Sequence, residues 1–195
     1  MHLLDHPVAY RLWQGPFAAQ KLVPLQRRLG PGPYGRVLDV ACGPGINTAT
    51  FKGPGYKGID LNPHYIARAT RTHGPMFEVA DATKFRGAPG TQYDIVLINS
   101  FLHHLDDAQV RTVLDHVRTL LAPGGTIQIM ELVRPPRGLF TRMFAELDRG
   151  KFARPVEAWQ ALIGKSLRIT HTEPYSLGAP GLDLWAMLYV EGVAP

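Results

Sequence analysis

Cysteine is almost missing from the 195-residue chain: Cys42 stands alone. A lone thiol cannot close an internal disulfide, so a reducing, cytoplasmic setting is expected. No apolar run approaches the ~20 residues a membrane helix needs. The first residues carry no uninterrupted hydrophobic segment after a basic start, so no signal peptide is expected either. Internal repeats and low-complexity tracts are also missing. The excess of one charge sign is modest, with a formal net charge of +5, which fits a solvated basic surface and permits an anionic partner without calling for nucleic acid. The chain length suits one domain with a sizeable core. Glycine and proline, by contrast, are plentiful at 20 and 17 residues, enough to punctuate the chain into short elements.

The most informative stretch is RVLDVACGPGINT, Arg36 to Thr48. Its apolar run, Val37-Leu38-Asp39-Val40, has the pattern of a strand buried on both faces. Ala41-Cys42-Gly43-Pro44-Gly45 follows, where glycine permits a sharp turn and a close approach of backbone to ligand. In an open α/β sheet, ligands collect outside the carboxyl ends of the strands, where this loop would lie. YKGIDLNP and FEVADA then place Asp60 and Asp81 at what read as the next two strand ends, each 21 residues after the preceding aspartate. Asp39, Asp60 and Asp81 are therefore expected to form one acidic rim.

These stretches resemble a class I S-adenosylmethionine-dependent methyltransferase, from about residue 7 to the C-terminus. The family's acidic-x-Gly-x-Gly-x-Gly motif is matched by Asp39-Val40-Ala41-Cys42-Gly43-Pro44-Gly45. Ala41 replaces the first glycine, which requires a negative φ there. The resemblance implies that Asp60 holds the ribose hydroxyls and that Asp81-Ala82 meets the adenine. It places Asn99-Ser100 beside the transferred methyl group and extends the cofactor set to Asn47 and Leu61. Leu120 to Leu132 matches the segment leading into the fifth strand. The implied fold is a Rossmann-like α/β sheet of seven strands, mostly parallel, in the order 3-2-1-4-5-7-6, with one antiparallel strand and helices on both faces. Residues 1–195 would form one such domain, with 1–30 as an N-terminal helical cap and 134–165 as a substrate lid. Tyr10, Trp13 and Gln14 of the cap are expected near the cofactor, plain packing by the two aromatics being the alternative.

In chain order, Pro7, Pro16 and Pro24 predict a broken N-terminal helix. Gly53-Pro54-Gly55 limits the first crossover helix to at most two turns. Asn62-Pro63 reads as an N-cap followed by proline at the first helical position. Met76 to Ala80 and Tyr93 to Ser100 read as the third and fourth strands, joined by a nearly bare loop. Asp106 and Gln109 resemble a capping pair; Val110, Val113, Leu114, Val117, Leu120 and Leu121 follow at helical spacing, stopped by Pro123-Gly124-Gly125. Thr126 to Val133 reads as the fifth strand. Short helices are expected over Leu139 to Asp148 and Pro155 to Gly164. Leu167 to Tyr175 and Leu182 to Val190 read as closing strands, with a tight connection at Pro180-Gly181.

Methyl transfer from a sulfonium is an in-line displacement in which the protein binds, orients and excludes water. A phenol or amine acceptor must also lose a proton, which favours a nearby His or carboxylate. His104 and His103 follow the fourth strand directly and are the general-base candidates, His104 slightly favoured for its nearness to Asp106. Lining the pocket is the alternative for both. Glu131 is a second candidate, with a structural ion pair as its alternative. Cys42 reads as a packing residue. Arg134, Arg137, Arg142, Arg149, Lys151 and Arg154 gather against only Glu146 and Asp148. They read either as a solvated charge run or as a basic lid suited to an anionic substrate. Trp159, Tyr175 and Trp185 would serve as core or as aromatic walls.

The function so implied is transfer of a methyl group from S-adenosyl-L-methionine, giving S-adenosyl-L-homocysteine, to an O, N or C atom of a small molecule. No metal, nucleic acid or membrane is expected to take part. An RNA or protein methyltransferase is one rival, although Asn99-Ser100-Phe101-Leu102 stands where an Asn-Pro-Pro-Tyr tetrapeptide would. A non-catalytic S-adenosylmethionine-binding protein is another. A nicotinamide dehydrogenase is the third, disfavoured because Gly43-Pro44-Gly45-Ile46-Asn47-Thr48 lacks the final Gly or Ala of its fingerprint.

Overall fold

The computed structural model of the protein describes residues 17–134, 151–179 and 182–195. Four buried side chains in a row make β1 (Val37–Val40) the centre of the sheet, and parallel neighbours flank it. β2 (Tyr56–Asp60) and β4 (Tyr93–Asn99) pair with β1 on either side. β3 (Phe77–Val79) extends one edge and β5 (Leu121–Leu132) the other. β6 (Arg168–Ala179) and β7 (Leu182–Val193) close the sheet, with β7 antiparallel to both β5 and β6. The strand order is β3-β2-β1-β4-β5-β7-β6, as the resemblance implies.

Alternation along the strands divides the core into two layers. Leu38, Val40, Val96, Ile98, Ile127 and Ile129 face α4 (Asp107–Val117) and α5 (Val156–Ile163), meeting Val110, Val113, Leu114, Trp159 and Leu162. Val37, Ile95, Leu97 and Met130 face the other way, toward α1 (Ala18–Leu29), the single-turn α2 (Thr48–Phe51) and α3 (Pro63–His73), with Leu22, Leu25, Phe51, Ile66 and Ala69. Asn62 caps α3, its Oδ1 accepting from the amides of His64 and Tyr65. Asp106 and Gln109 form the reciprocal capping box at the start of α4.

Two expected breaks fall elsewhere. Pro24 lies inside α1 rather than ending it; the ring removes one helical donor, and the Tyr175 hydroxyl donates to the nearby Lys21 carbonyl at 2.9 Å. Pro123-Gly124-Gly125 does not stop α4, which ends at Val117 and passes through a short 3-10 turn. Leu121 already pairs with Tyr93, and the Pro-Gly-Gly run forms a register shift within β5. Gly125 sits there because a Cβ would lie 2.8 Å from the Tyr93 carbonyl. The crossover from β3 to β4 has no α-helix, and α5 is the helix expected over Pro155 to Gly164. The expected helix over Leu139 to Asp148 and the Pro180-Gly181 connection lie outside the described residues. Among the described residues, no helix is long and apolar enough to cross a membrane.

Asp39 is fully buried in β1, away from the rim on which its spacing placed it. The next strand positions still belong to the ladder, so its carboxylate lies beneath the following loop. The Tyr56 hydroxyl donates to it at 2.8 Å, and Asn47 Nδ2 donates at 3.3 and 3.4 Å. Burial pushes the Asp39 carboxyl up to about 7, against the pull of Tyr56 and Asn47 and with a smaller push from Asp60.

Truncating Leu97, fully buried at the centre of β4, to alanine should cost about 2–5 kcal/mol. Urea unfolding with an unchanged slope measures it, and a loss below about 1 kcal/mol would contradict this packing. Asp39 gives stability a pH dependence of defined sign. The folded protein retains a proton that the unfolded carboxyl, titrating near ~3.9, releases. The resulting stabilisation is full below the unfolded value and disappears as pH rises through about 7. Asp39→Asn should flatten the decline in Tm across that window; an unaltered slope would assign the decline to another group.

Candidate active site

The site is built where β1, β2 and β4 end. Cys42 N–H donates to the Ile59 carbonyl at 3.0 Å, so the chain must turn immediately before it, at Ala41. Ala41 consequently has φ +56°, contrary to the negative φ expected from its replacing glycine. A side chain in this left-handed region costs about 1–2 kcal/mol. Gly43 has φ +56° as well, and a Cβ there would meet nothing within 4 Å, because the backbone faces an open cleft. Gly45 is glycine for a different reason: a Cβ would sit 2.9 Å from the His73 ring.

Asp60 closes β2 and braces the loop. Its Oδ2 accepts from Gly43 N–H at 2.9 Å and its Oδ1 from Asn62 N–H at 2.8 Å. Burial raises its carboxyl above the ordinary range despite the opposing pull of these two amides. Asp81, beyond β3, accepts from the Thr83 hydroxyl and amide at 2.7 and 2.9 Å, and those bonds hold its carboxyl low. A cleft of about 650 Å³ runs between these two carboxylates. Ala41, Gly43, Asp60, Leu61, Asp81, Ala82, Ser100 and His104 line it, with Ile59 and Val113 among its apolar walls. Asp39 and Gly45 lie behind this surface.

From the cleft the lining continues inward past Ser100. A pocket of about 40 Å³ is bounded by Gly43, Asn47, Asn99, Ser100 and Lys21. Another of about 10 Å³ is bounded by Ser100, Lys21, His103, Phe17, Trp185 and Met187. Side chains link these walls in a chain: Asn47 Oδ1 accepts from Asn99 Nδ2 at 2.9 Å, Asn99 Oδ1 from Ser100 Oγ at 3.2 Å, and Ser100 Oγ from Lys21 Nζ at 2.8 Å. Ser100, like Ala41, has a positive φ of +55°.

The two histidines occupy different places. His104 is exposed and lines the cleft. His103 is 2% exposed, lines the inner pocket and sets Nδ1 2.7 Å from Glu131 Oε2. Glu131 Oε1 also accepts from the amides of Phe101 and Leu102 at 2.8 and 2.6 Å. Burial would raise the Glu131 carboxyl, but the His103 ring and these amides outweigh it and hold it low. Glu131 is thus paired with His103, in line with its structural alternative, and it lines none of these three spaces.

Arg154 of the basic run bonds Asp107 Oδ1 and the Leu105 carbonyl and stacks 4.5 Å over the Trp159 ring. It clasps α5 to the start of α4. Trp159 is core, its Nε1 donating to the Leu132 carbonyl at 2.9 Å. Trp185 stands edge-on to Phe17 at 4.9 Å in the inner pocket wall. Tyr10, Trp13, Gln14, Arg137, Arg142 and Arg149 lie outside the described residues. Lys21 and Phe17 were not legible as site residues. The available signal was a lysine in register with Leu25 on the apolar face of α1.

Residues 37–125 match the model of a methyltransferase domain. An uncharacterized methyltransferase of Synechocystis sp. is 29% identical over 148 residues, covering 72% of this chain and 66% of that protein. Trans-aconitate 2-methyltransferase of Methylobacterium nodulans is 30% identical over 171 residues, covering 82% of this chain and 62% of that protein. The chain therefore spans less than two thirds of the length of these relatives. The fold matches N-methyltransferase NodS from Bradyrhizobium japonicum in complex with S-adenosyl-L-homocysteine, with a TM-score of 0.67 at 18% identity over 98% of this chain and 89% of that one. Motif order, sheet topology and these matches agree: residues 37–125 match a methyltransferase domain, set on the sheet of class I methyltransferases, whose cofactor is S-adenosylmethionine.

Proposed function

We propose that the protein transfers a methyl group from S-adenosylmethionine to a small molecule, with His103 as the general base. The observation that carries this reading is the junction at Ser100, where an open cleft meets a small, largely apolar pocket lined by His103, whose Nδ1 lies 2.7 Å from the buried Glu131 carboxylate.

The residues present fit the cofactor. The cleft volume lies within the range of ligand sites, about 300–1,000 Å³. Gly43 leaves open the space that a Cβ would enter. Asp60, already fixed by two amides, offers remaining acceptor capacity to ribose hydroxyls, and Asp81, Ala82 and Leu61 stand where the adenine would lie. Bound there, S-adenosylmethionine supplies an electrophilic methyl group on sulfur. The chain's own task is then to orient an acceptor at Ser100 and remove its proton. An ionised Glu131 accepting from His103 Nδ1–H leaves Nε2 as the proton-accepting atom, and the carboxylate stabilises the imidazolium formed. This geometry turns the slight sequence preference for His104 toward His103, while His104 takes a place in the cofactor cleft wall. Phe17, Trp185 and Met187 line the inner pocket and would shield the reacting atoms from water. The trans-aconitate named for one relative supports a small-molecule acceptor. In this reading residues 1–195 act as one domain with 1–30 as its cap; of the lid expected over 134–165, the stretch Val156–Ile163 is α5 and belongs to the core instead.

Calorimetry should detect S-adenosylhomocysteine binding and much weaker binding of NAD. Asp60→Ala should weaken the former tenfold or more, the loss of one or two bonds to a charged acceptor at ~1.5–3 kcal/mol each; a folded variant with unchanged affinity would remove Asp60 from this role. His103→Gln should lower turnover by about 10²–10⁴-fold and abolish the acidic limb of the pH–rate profile, with S-adenosylhomocysteine affinity nearly unchanged. Normal turnover with the same pH profile would leave methyl transfer resting on positioning alone.

A further inference from the structure

β7 outruns the strand that supports it. Its ladder with β5 ends at the Leu132–Met187 pair, with a last bond from Val133 N–H to the Ala186 carbonyl. Pairing with β6 continues to Ala179 and Leu182, so residues 177–179 and 182–185 form a two-stranded overhang. Two strands alone are marginally stable in water, and the position of an overhang depends on what it leans against. Here it leans on the start of α1. The Trp185 ring meets Phe17 edge-on at 4.9 Å. Gly178, just past a register shift between β6 and β7, gives both backbone groups to one side chain. Its N–H donates to Gln20 Oε1 and its C=O accepts from Gln20 Nε2, each at 3.2 Å. A primary amide can match a backbone N–H and C=O at once, as a neighbouring strand would. The far end of the helix is fixed differently: Arg28 bonds Glu191 at 3.0 Å, a buried carboxylate that also accepts from the Thr170 hydroxyl at 2.8 Å. Gln20 is exposed, so its two neutral bonds compete with water and are the weaker fastening.

The overhang carries pocket walls. Leu177 and Trp185 lie within it, and together with Phe17, Leu132, Met187 and His103 they line a space of about 10 Å³, room for about one water. No acceptor fits that volume. We propose that Gln20 is a positioning residue of the acceptor pocket: through Gly178 it seats Leu177 and Trp185 beside His103, and its release admits the acceptor. This rests on the reading of the inner pocket as the acceptor site. An ion pair holds the far end of α1, whereas an amide pair open to water holds the end over the pocket. The contact that opens first is therefore the one next to His103.

Diethyl pyrocarbonate, a small electrophile that acylates an unprotonated imidazole nitrogen, tests this on the full chain, with the modified histidines located by peptide mass spectrometry. In wild type, exposed His104 should react about tenfold or more faster than buried His103, whose reaction waits on local opening. Gln20→Met, which keeps helix propensity, should speed His103 by about 3- to 30-fold, the range of one or two neutral hydrogen bonds. His104 should be unchanged. Arg27→Gln is the control: it removes an exposed contact between the same helix and the same strand, Arg27 to Glu173 at 3.2 Å, away from the overhang. It should leave His103 at the wild-type rate. Equal His103 rates in wild type and Gln20→Met overturn the proposal. So does an equal gain in Arg27→Gln, or a parallel gain at His116 on α4 in the opposite layer, since either marks general loosening. Wild-type His103 that reacts as fast as His104 overturns it without any variant. The reagent reports access whether or not His103 serves as the base, so the general-base reading stands or falls separately on the turnover of His103→Gln.

Discussion

The site depends on one connected line of polar side chains running under and across the ends of the central strands. It starts at the buried Asp39 carboxylate, passes through Asn47 and Asn99 to Ser100, and ends at Lys21. Each link joins a different piece of chain: β1 to the residue that opens α2, that residue to β4, and the end of β4 to α1. Polar groups placed inside a low-dielectric interior cost free energy when unmatched, so a line of matched partners admits few alternative arrangements. Two residues at its border, Ala41 and Ser100, hold left-handed backbone conformations that a non-glycine residue adopts only when its surroundings impose them. The turns that open the cleft are therefore held from below by Asp39 and Asn47 and from the side by Lys21.

Two fully buried carboxylates lie within this framework, and their opposite behaviour follows from their partners. Asp39 receives a phenol and a primary amide, both neutral, and these do not offset the loss of water; its carboxyl rises to about 7. Glu131 receives an imidazole and backbone amides from the turn that carries the same histidine, and its carboxyl falls. Burial is matched in the two cases, so the difference lies in the imidazole partner and in the number of N–H donors. Glu131 is consequently the natural counter-charge for a histidine that takes up a proton, whereas Asp39 is suited to holding the loop and not to exchanging protons with a substrate.

Much of this was legible in the sequence, for reasons that can be assigned. β1 and β4 were visible because strands buried on both faces require continuous apolar runs. Asn62-Pro63 and Asp106-x-x-Gln109 were visible because capping is a local interaction. Asp60 and Asp81 were visible because each lies within two residues of a strand's end. The failures all involve a tertiary partner outvoting a local preference. Pro24 stays within α1, whose Leu22 and Leu25 pack on the sheet beside the Tyr175 contact. Pro123-Gly124-Gly125 serves a strand because Leu121 finds Tyr93 across the ladder. Ala41 takes a positive φ because Cys42 is tied to Ile59. Lys21 carried no motif at all; only its mismatch with an apolar face marked it.

The two spaces draw on different parts of the sheet. The larger cleft is assembled from the parallel half: β1, β2 and β4, the segment after β3, and α4. The inner pocket draws instead on α1 for Phe17 and Lys21's neighbourhood, on β5 for Leu132, on β6 for Leu177 and on β7 for Trp185 and Met187. Those last three pack together with Leu132 as a small core separate from the two that support the parallel strands. Ser100 and the His103 turn are the two features common to both halves. β4, which ends just before Ser100 and leads into the His103 turn, is therefore the strand that joins the two spaces.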